Sequence, residues 1–79
     1  MKVFEYTGVV WKEPEGYVSK CPELGVASCG DSFDEALRNL REAVELYLEN
    51  AEKLGIIDEV QESLTTKEKY TAHLEATLQ

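Results

Sequence analysis

Few side chains in this 79-residue chain are equipped for chemistry: Cys21, Cys29, His73 and 16 carboxylates. Two cysteines and one distant histidine fall short of the four ligands a structural zinc site takes. They read as two reduced thiols behaving as small apolar residues, with a Cys21–Cys29 disulfide as the minor alternative in a chain expected to be cytoplasmic. The carboxylates are the other resource, since clustered acids can hold two divalent metals for nucleolytic chemistry. Here the first strand-like segment offers only Glu5, and most acids elsewhere lie on the solvent side of a helix. His73 is a possible base, but no nucleophile or oxyanion donor converges on it. The expectation is a protein that is not an enzyme and takes no cofactor and no metal.

The charge balance points toward partners instead. Eight lysines and arginines against 16 acids leave a formal net charge of -8. That disfavours a phosphate backbone, which needs a basic surface, so no direct binding of nucleic acid is expected. The same charge suits a basic protein partner, and it also serves plain solubility. With 43% hydrophobic and 30% charged residues the composition is globular. No apolar run approaches the roughly 20 residues of a membrane span. The opening MKVFEYTGVVW is too interrupted by Glu5 and Thr7 for a signal peptide.

The elements that must position these groups follow from periodicity. Residues 2–12 are rich in valine and aromatics and read as a strand, with Phe4, Tyr6 and Val10 on one face and Val3, Val9 and Trp11 on the other. Apolar residues on both faces predict that both are covered, one by the helices and the other, or an edge, by a partner, with a second copy as the expected one. Pro14 and Gly16 mark a turn. Residues 17–21 return antiparallel, Pro22 breaks the ladder, and residues 25–29 form a third strand ending at Gly30. Ser32-Phe33-Asp34-Glu35 has the form of a capping box, in which Ser32 accepts from the Glu35 amide and Glu35 reaches back to the Ser32 amide. Phe33, Ala36, Leu37, Leu40, Ala43, Val44, Tyr47, Leu48 and Ala51 then recur at helical spacing, and Gly55 stops the helix. The helix is predicted over residues 32–54, with a short second helix at 56–64. Residues 70–78 alternate, with Tyr70, Ala72, Leu74, Ala76 and Leu78 on one side, and are expected to form a half-buried last strand. The fold class is α+β: β-β-β-α-(short α)-β, a single domain over residues 1–79, with an antiparallel sheet and the helix packed on one face. A chain this small buries only about 60% of its unfolded surface, which favours a homodimer or higher homo-oligomer.

Several motifs fall in a recognisable order: Glu15-Gly16-Tyr17-Val18, Cys21-Pro22-Glu23-Leu24, Gly30-Asp31-Ser32, Glu35-Ala36-Leu37, Asn39-Leu40 and Glu42-Ala43. Over about residues 3–54 the chain resembles the N-terminal domain of HicB-type antitoxins, specifically their stand-alone, single-domain members. The resemblance implies a small β-β-β-α-β unit likened to a partial ribonuclease H fold. It implies a non-enzymatic role, binding and masking a small basic messenger-RNA-cleaving toxin of the HicA type. The chain departs from many HicB antitoxins after the long helix, where no basic recognition helix stands, so operator binding is not expected. The alternative is a homo-oligomeric binding module of unassigned function.

For a partner surface the candidates are Glu13, Glu15, Glu23 and Asp31, with Trp11 and Tyr17 as aromatic anchors. Gly16, Pro22, Gly30, Ser32, Glu35 and Ala36 have structural explanations. The glycines end strands and turns, Pro22 breaks a strand, Ser32 and Glu35 cap the helix, and Ala36 permits close helix–sheet approach.

Overall fold

Strand chemistry comes first in the chain and helix chemistry second, and the computed structural model keeps them in two layers. It describes residues 2–65 and 68–78. Three strands, β1 (Val9–Glu13), β2 (Gly16–Cys21) and β3 (Val26–Gly30), are followed by α1 (Phe33–Lys53) and α2 (Ile57–Leu64). The sheet is an antiparallel meander in the order β1-β2-β3, open at both edges. The fold is α+β, as expected.

The register defines the two faces. Val10, Ser19 and Ser28 lie opposite one another across the sheet, as do Trp11, Val18 and Cys29. Because side chains alternate, Ser19 and Cys21 face α1, while Val9, Trp11, Val18, Ala27 and Cys29 face away. Leu40 and Val44 pack on Cys21 to form the main core, flanked by Tyr6, Leu24, Val26 and Leu48. A second cluster, Ala51, Val60 and Leu64, joins α1 to α2 and takes in Phe4, Tyr6, Leu24, Leu48 and Ile57. Full burial of a side chain such as Leu40 contributes about 1.5–3 kcal/mol. Of the apolar stripe predicted for α1, Phe33 is half exposed and Tyr47 more than a third exposed; Phe33 stands at the first helical position, at the end of the layer.

Local chemistry sets the helix ends. The Glu35 amide donates to Ser32 Oγ at 3.1 Å. The Glu35 carboxylate accepts from the Asp31 amide at 3.1 Å rather than from Ser32, one residue further back than a standard capping box. At the other end the Gly55 amide donates to the Glu52 carbonyl and the Ile56 amide to the Ala51 carbonyl. These two bonds form a Schellman motif, and Gly55, at φ +75, supplies its left-handed residue.

The junction of β3 and α1 is the tightest point. Ser19, fully buried, donates its hydroxyl to the Ala36 carbonyl at 2.8 Å. A Cβ on Gly30 would stand 2.6 Å from the Ala36 nitrogen and 2.8 Å from the Glu35 carbonyl carbon. Nearby, the Asn39 amide donates to the Cys29 carbonyl at 2.8 Å.

Two expected strands differ. Regular pairing begins at Val9, not at residue 2. β2 ends at Cys21 and Pro22 turns the chain away, so residues 2–8 have no neighbouring backbone to pair with, although Phe4 and Tyr6 still pack inward. The last strand expected at residues 70–78 is absent. Residues 68–78 carry no regular structure and every one is exposed. Alternation prepares a segment for a sheet, but the strand forms only where a sheet edge receives it.

Gly30→Ala is expected to force α1 off the sheet, because the clashing atoms belong to the backbone. A loss of about 2 kcal/mol follows from overpacking of this kind, or roughly 10 °C in Tm for a domain of this size. Ser19→Ala, which deletes one buried hydrogen bond, costs about 1 kcal/mol. Thermal melts followed by circular dichroism at one protein concentration would order the two; an unperturbed Gly30→Ala protein contradicts the close approach.

Candidate functional site

The sheet register sorts the candidate residues into two groups at opposite ends of the strands. Glu13 pairs with Gly16, so the β1–β2 connection is the two-residue turn Pro14-Glu15. Tyr17 pairs with Gly30, so that turn lies beside the start of α1. The approach is close: a Cβ on Gly16 would be 2.9 Å from the Gly30 carbonyl oxygen. Glu13, Glu15 and Asp31, all exposed, are thereby gathered at one end with Asp34 beside them in the first turn of α1. This places acids at the positive end of the helix dipole.

The aromatic candidates flank this end on different faces. Trp11 is 40% exposed on the side of the sheet turned away from α1, and its indole Nε1 donates to Glu13 Oε1 at 2.8 Å. Tyr17 is half-buried on the helix side, with the Lys12 ammonium 5.1 Å from its ring centroid. Around Trp11 the outward face presents Val9, Val18, Ala27 and Cys29, with Lys20 between Val9 and Ala27 and Glu13 at one end. Among the described elements α1 packs on the other face and α2 packs on α1. The helices thus cover one face, as expected, and among the described elements none covers the Trp11 face, where the sequence leads one to expect a second copy there or at an edge. The alternation of residues 2–12 places Val9 and Trp11 on one face; only the register adds Val18, Lys20, Ala27 and Cys29 to it.

Glu23 belongs elsewhere, at the β2–β3 turn. Its side chain is only 7% exposed. It accepts from the Thr7 amide at 3.2 and 3.1 Å, from Thr7 Oγ1 at 2.8 Å and from Cys21 Sγ at 3.4 Å, and it is ion-paired with Lys69. Lys69 Nζ also donates to the Leu64 carbonyl at 3.3 Å. One carboxylate thus ties residues 2–8, the β2–β3 turn and the segment after α2 together. Burial pushes its carboxyl up, but hydrogen bonds from Lys69, from its own backbone and from Thr7 outweigh burial and hold it at about 2. Burial also pushes the Cys21 thiol up, helped by the Glu23 carboxylate and opposed by backbone hydrogen bonds from Leu24 and Glu23. That leaves Cys21 a poor nucleophile. Both cysteines are free, and they lie on opposite faces of the sheet, so the disulfide alternative does not occur here. Nothing in the local sequence announces Lys69, 46 positions from Glu23.

Among the described residues no group of three or more histidines, cysteines or acids is arranged to hold a metal ion. No helix there is long and apolar enough to cross a membrane. Gly30, Ser32, Glu35 and Ala36 act at the helix junction, and Pro22 and Gly16 at the turns.

Fold and site together describe a small α+β protein with an acidic end, an uncovered sheet face and an internal carboxylate clasp. Two known proteins are similar to it. A UPF0150 protein of Synechocystis sp. is 45% identical over 51 residues, which is 62% of this chain and 65% of that protein. A UPF0150 protein of Helicobacter pylori is 49% identical over 45 residues, 56% of this chain and 62% of that protein. The chain spans less than two thirds of the length of either relative, and their shared designation states no activity. No family model matches the chain, and no solved structure matches it.

The Glu23 clasp has a definite pH signature. Its folded-state value of about 2 lies below its ordinary value of 4.5, so the unfolded chain binds more protons between them. The stabilisation is fully present above about pH 5 and is lost as the pH falls toward 2, amounting to about 2–3 kcal/mol. Glu23→Gln is expected to melt lower than the parent protein at pH 7, with the gap closing as both approach pH 2. Denaturant titrations across this range check it; a gap independent of pH would remove the clasp as its source.

Proposed function

We propose that this protein is a HicB-like antitoxin module, binding and neutralising a small, basic, messenger-RNA-cleaving toxin of the HicA type rather than catalysing a reaction. The observation that carries the reading is the gathering of Glu13, Glu15 and Asp31 at one end of the sheet, beside the exposed Trp11. A fixed acidic end steers a basic partner into encounter and penalises acidic ones. The exposed indole supplies the apolar anchor that charges alone do not. The net charge of -8 supports the same kind of partner and disfavours nucleic acid.

In this reading Glu23 is not part of the binding surface. Its charge is already matched inside the molecule, so reversing it would damage the fold before it touched a partner. Glu13 and Glu15 are free of such duties, apart from the indole bond to Glu13.

The test is co-expression with the product of the adjacent gene, scoring growth and co-elution. The proposal expects a complex whose association slows with added salt. Glu13→Lys with Glu15→Lys is expected to reduce the association rate about tenfold at low salt while leaving the melting temperature near that of the parent. An unaltered rate would move the surface elsewhere, and no complex with any basic neighbour would reject the antitoxin reading.

A further inference from the structure

The strongest unexplained feature is residues 70–78. Their alternating apolar set is built for a sheet, yet Tyr70 is 84%, Leu74 85% and Leu78 98% exposed. The same molecule has an unused sheet edge. β1 is an edge strand, and residues 2–8 lead into it without regular backbone pairing. From residue 2 to Glu13 that edge is long enough to receive all nine residues of the tail, about 30 Å at strand spacing. β3, the other edge, offers only five residues.

We infer that the protein forms a twofold dimer by strand exchange, each copy laying residues 70–78 along the 2–13 edge of the other. Three observations select a second copy as the occupant. The root of the tail is held against that edge, since Lys69 pairs with Glu23 and Glu23 accepts from Thr7, so a twofold axis there needs only a short crossing. Beyond Lys69 the chain's own tail is not paired on its own edge: residues 70–78 carry no regular structure and every one is exposed. The charges also permit pairing of two acidic molecules. The tail carries one acid, Glu75, and no lysine or arginine, and residues 2–13 carry two lysines against two glutamates. The rest of the negative charge lies outside the contact.

Size agrees. Two nine-residue strands added reciprocally would bury roughly 1,500 Å² in total, within the range of specific interfaces. Reciprocity satisfies the free edges in pairs and closes the assembly, whereas one-way addition would propagate into fibres. Of the acids invoked for a toxin, Glu15 and Asp31 lie outside this edge and Glu13 is its last residue, and the variants that test the dimer are all in the tail, so the two readings are tested separately.

Gel filtration with light scattering on the full chain, between about 10 μM and 1 mM, should give twice the 8.9 kDa chain mass. The double variant Leu74→Asp with Leu78→Asp should weaken the dimer on the order of 100-fold and keep the helical circular dichroism. In a mixed sample of isotope-labelled and unlabelled chains, filtered nuclear Overhauser contacts should join residues 70–78 of one copy to residues 2–13 of the other. A single-chain mass throughout the range overturns the proposal, as does a dimer indifferent to the double variant. Contacts that join tail and edge only within one chain, or that centre on Trp11 and Val18, overturn it equally.

Discussion

The first turn of α1 can lie on the sheet only because position 30 has no side chain. The Ala36 nitrogen occupies the space a Cβ would need, and the Ser19 hydroxyl bridges the gap that remains. From that contact the direction of the helix follows. Leu40 and Val44, one and two turns further on, come down over Cys21 and complete the main core. The Schellman stop at Gly55 then returns the chain so that Val60 and Leu64 close over Ala51. A fold with so little interior depends on approach distance more than on the number of large side chains. Its fully buried set includes a serine, a cysteine and an alanine.

The second organising contact is electrostatic. Glu23 is a charged group inside a small protein, tolerable because donors surround it on several sides. Its donors come from three separate stretches of chain, so it does for residues 2–8 and for the tail what strand pairing does for β1 to β3. The sheet needs no such clasp; residues 2–8 add to it the inward packing of Phe4 and Tyr6, and the tail has little else.

How much of this was legible in the sequence depended on range. The helix boundaries, the turns and the order of the strands were written locally, in Ser32 with Glu35, in Pro14 with Gly16, in Pro22 and in Gly55. The apolar face of α1 followed from spacing, apart from Phe33 and Tyr47 at its margins. The division of the candidate site was not legible. Glu13, Glu15, Glu23 and Asp31 look alike as acids in loops, and only the register shows that three share an end while the fourth is turned inward at the other. The strand pattern of residues 2–12 is met only from Val9 onward and that of residues 70–78 not at all, although the alternation of both is real. Alternation describes a segment's preference, and whether it is honoured depends on an edge that no local pattern reveals.

The separation of the two ends has a consequence for how such a protein can change over time. The acidic hairpin and the clasp are joined through the rigid meander but share no side-chain contact among those described. Substitutions at positions 13 and 15 therefore meet few constraints from the interior, whereas positions 7, 21, 23 and 69 constrain one another. One end is free to drift as its counterpart drifts, residue for residue, while the other must mutate in concert or not at all.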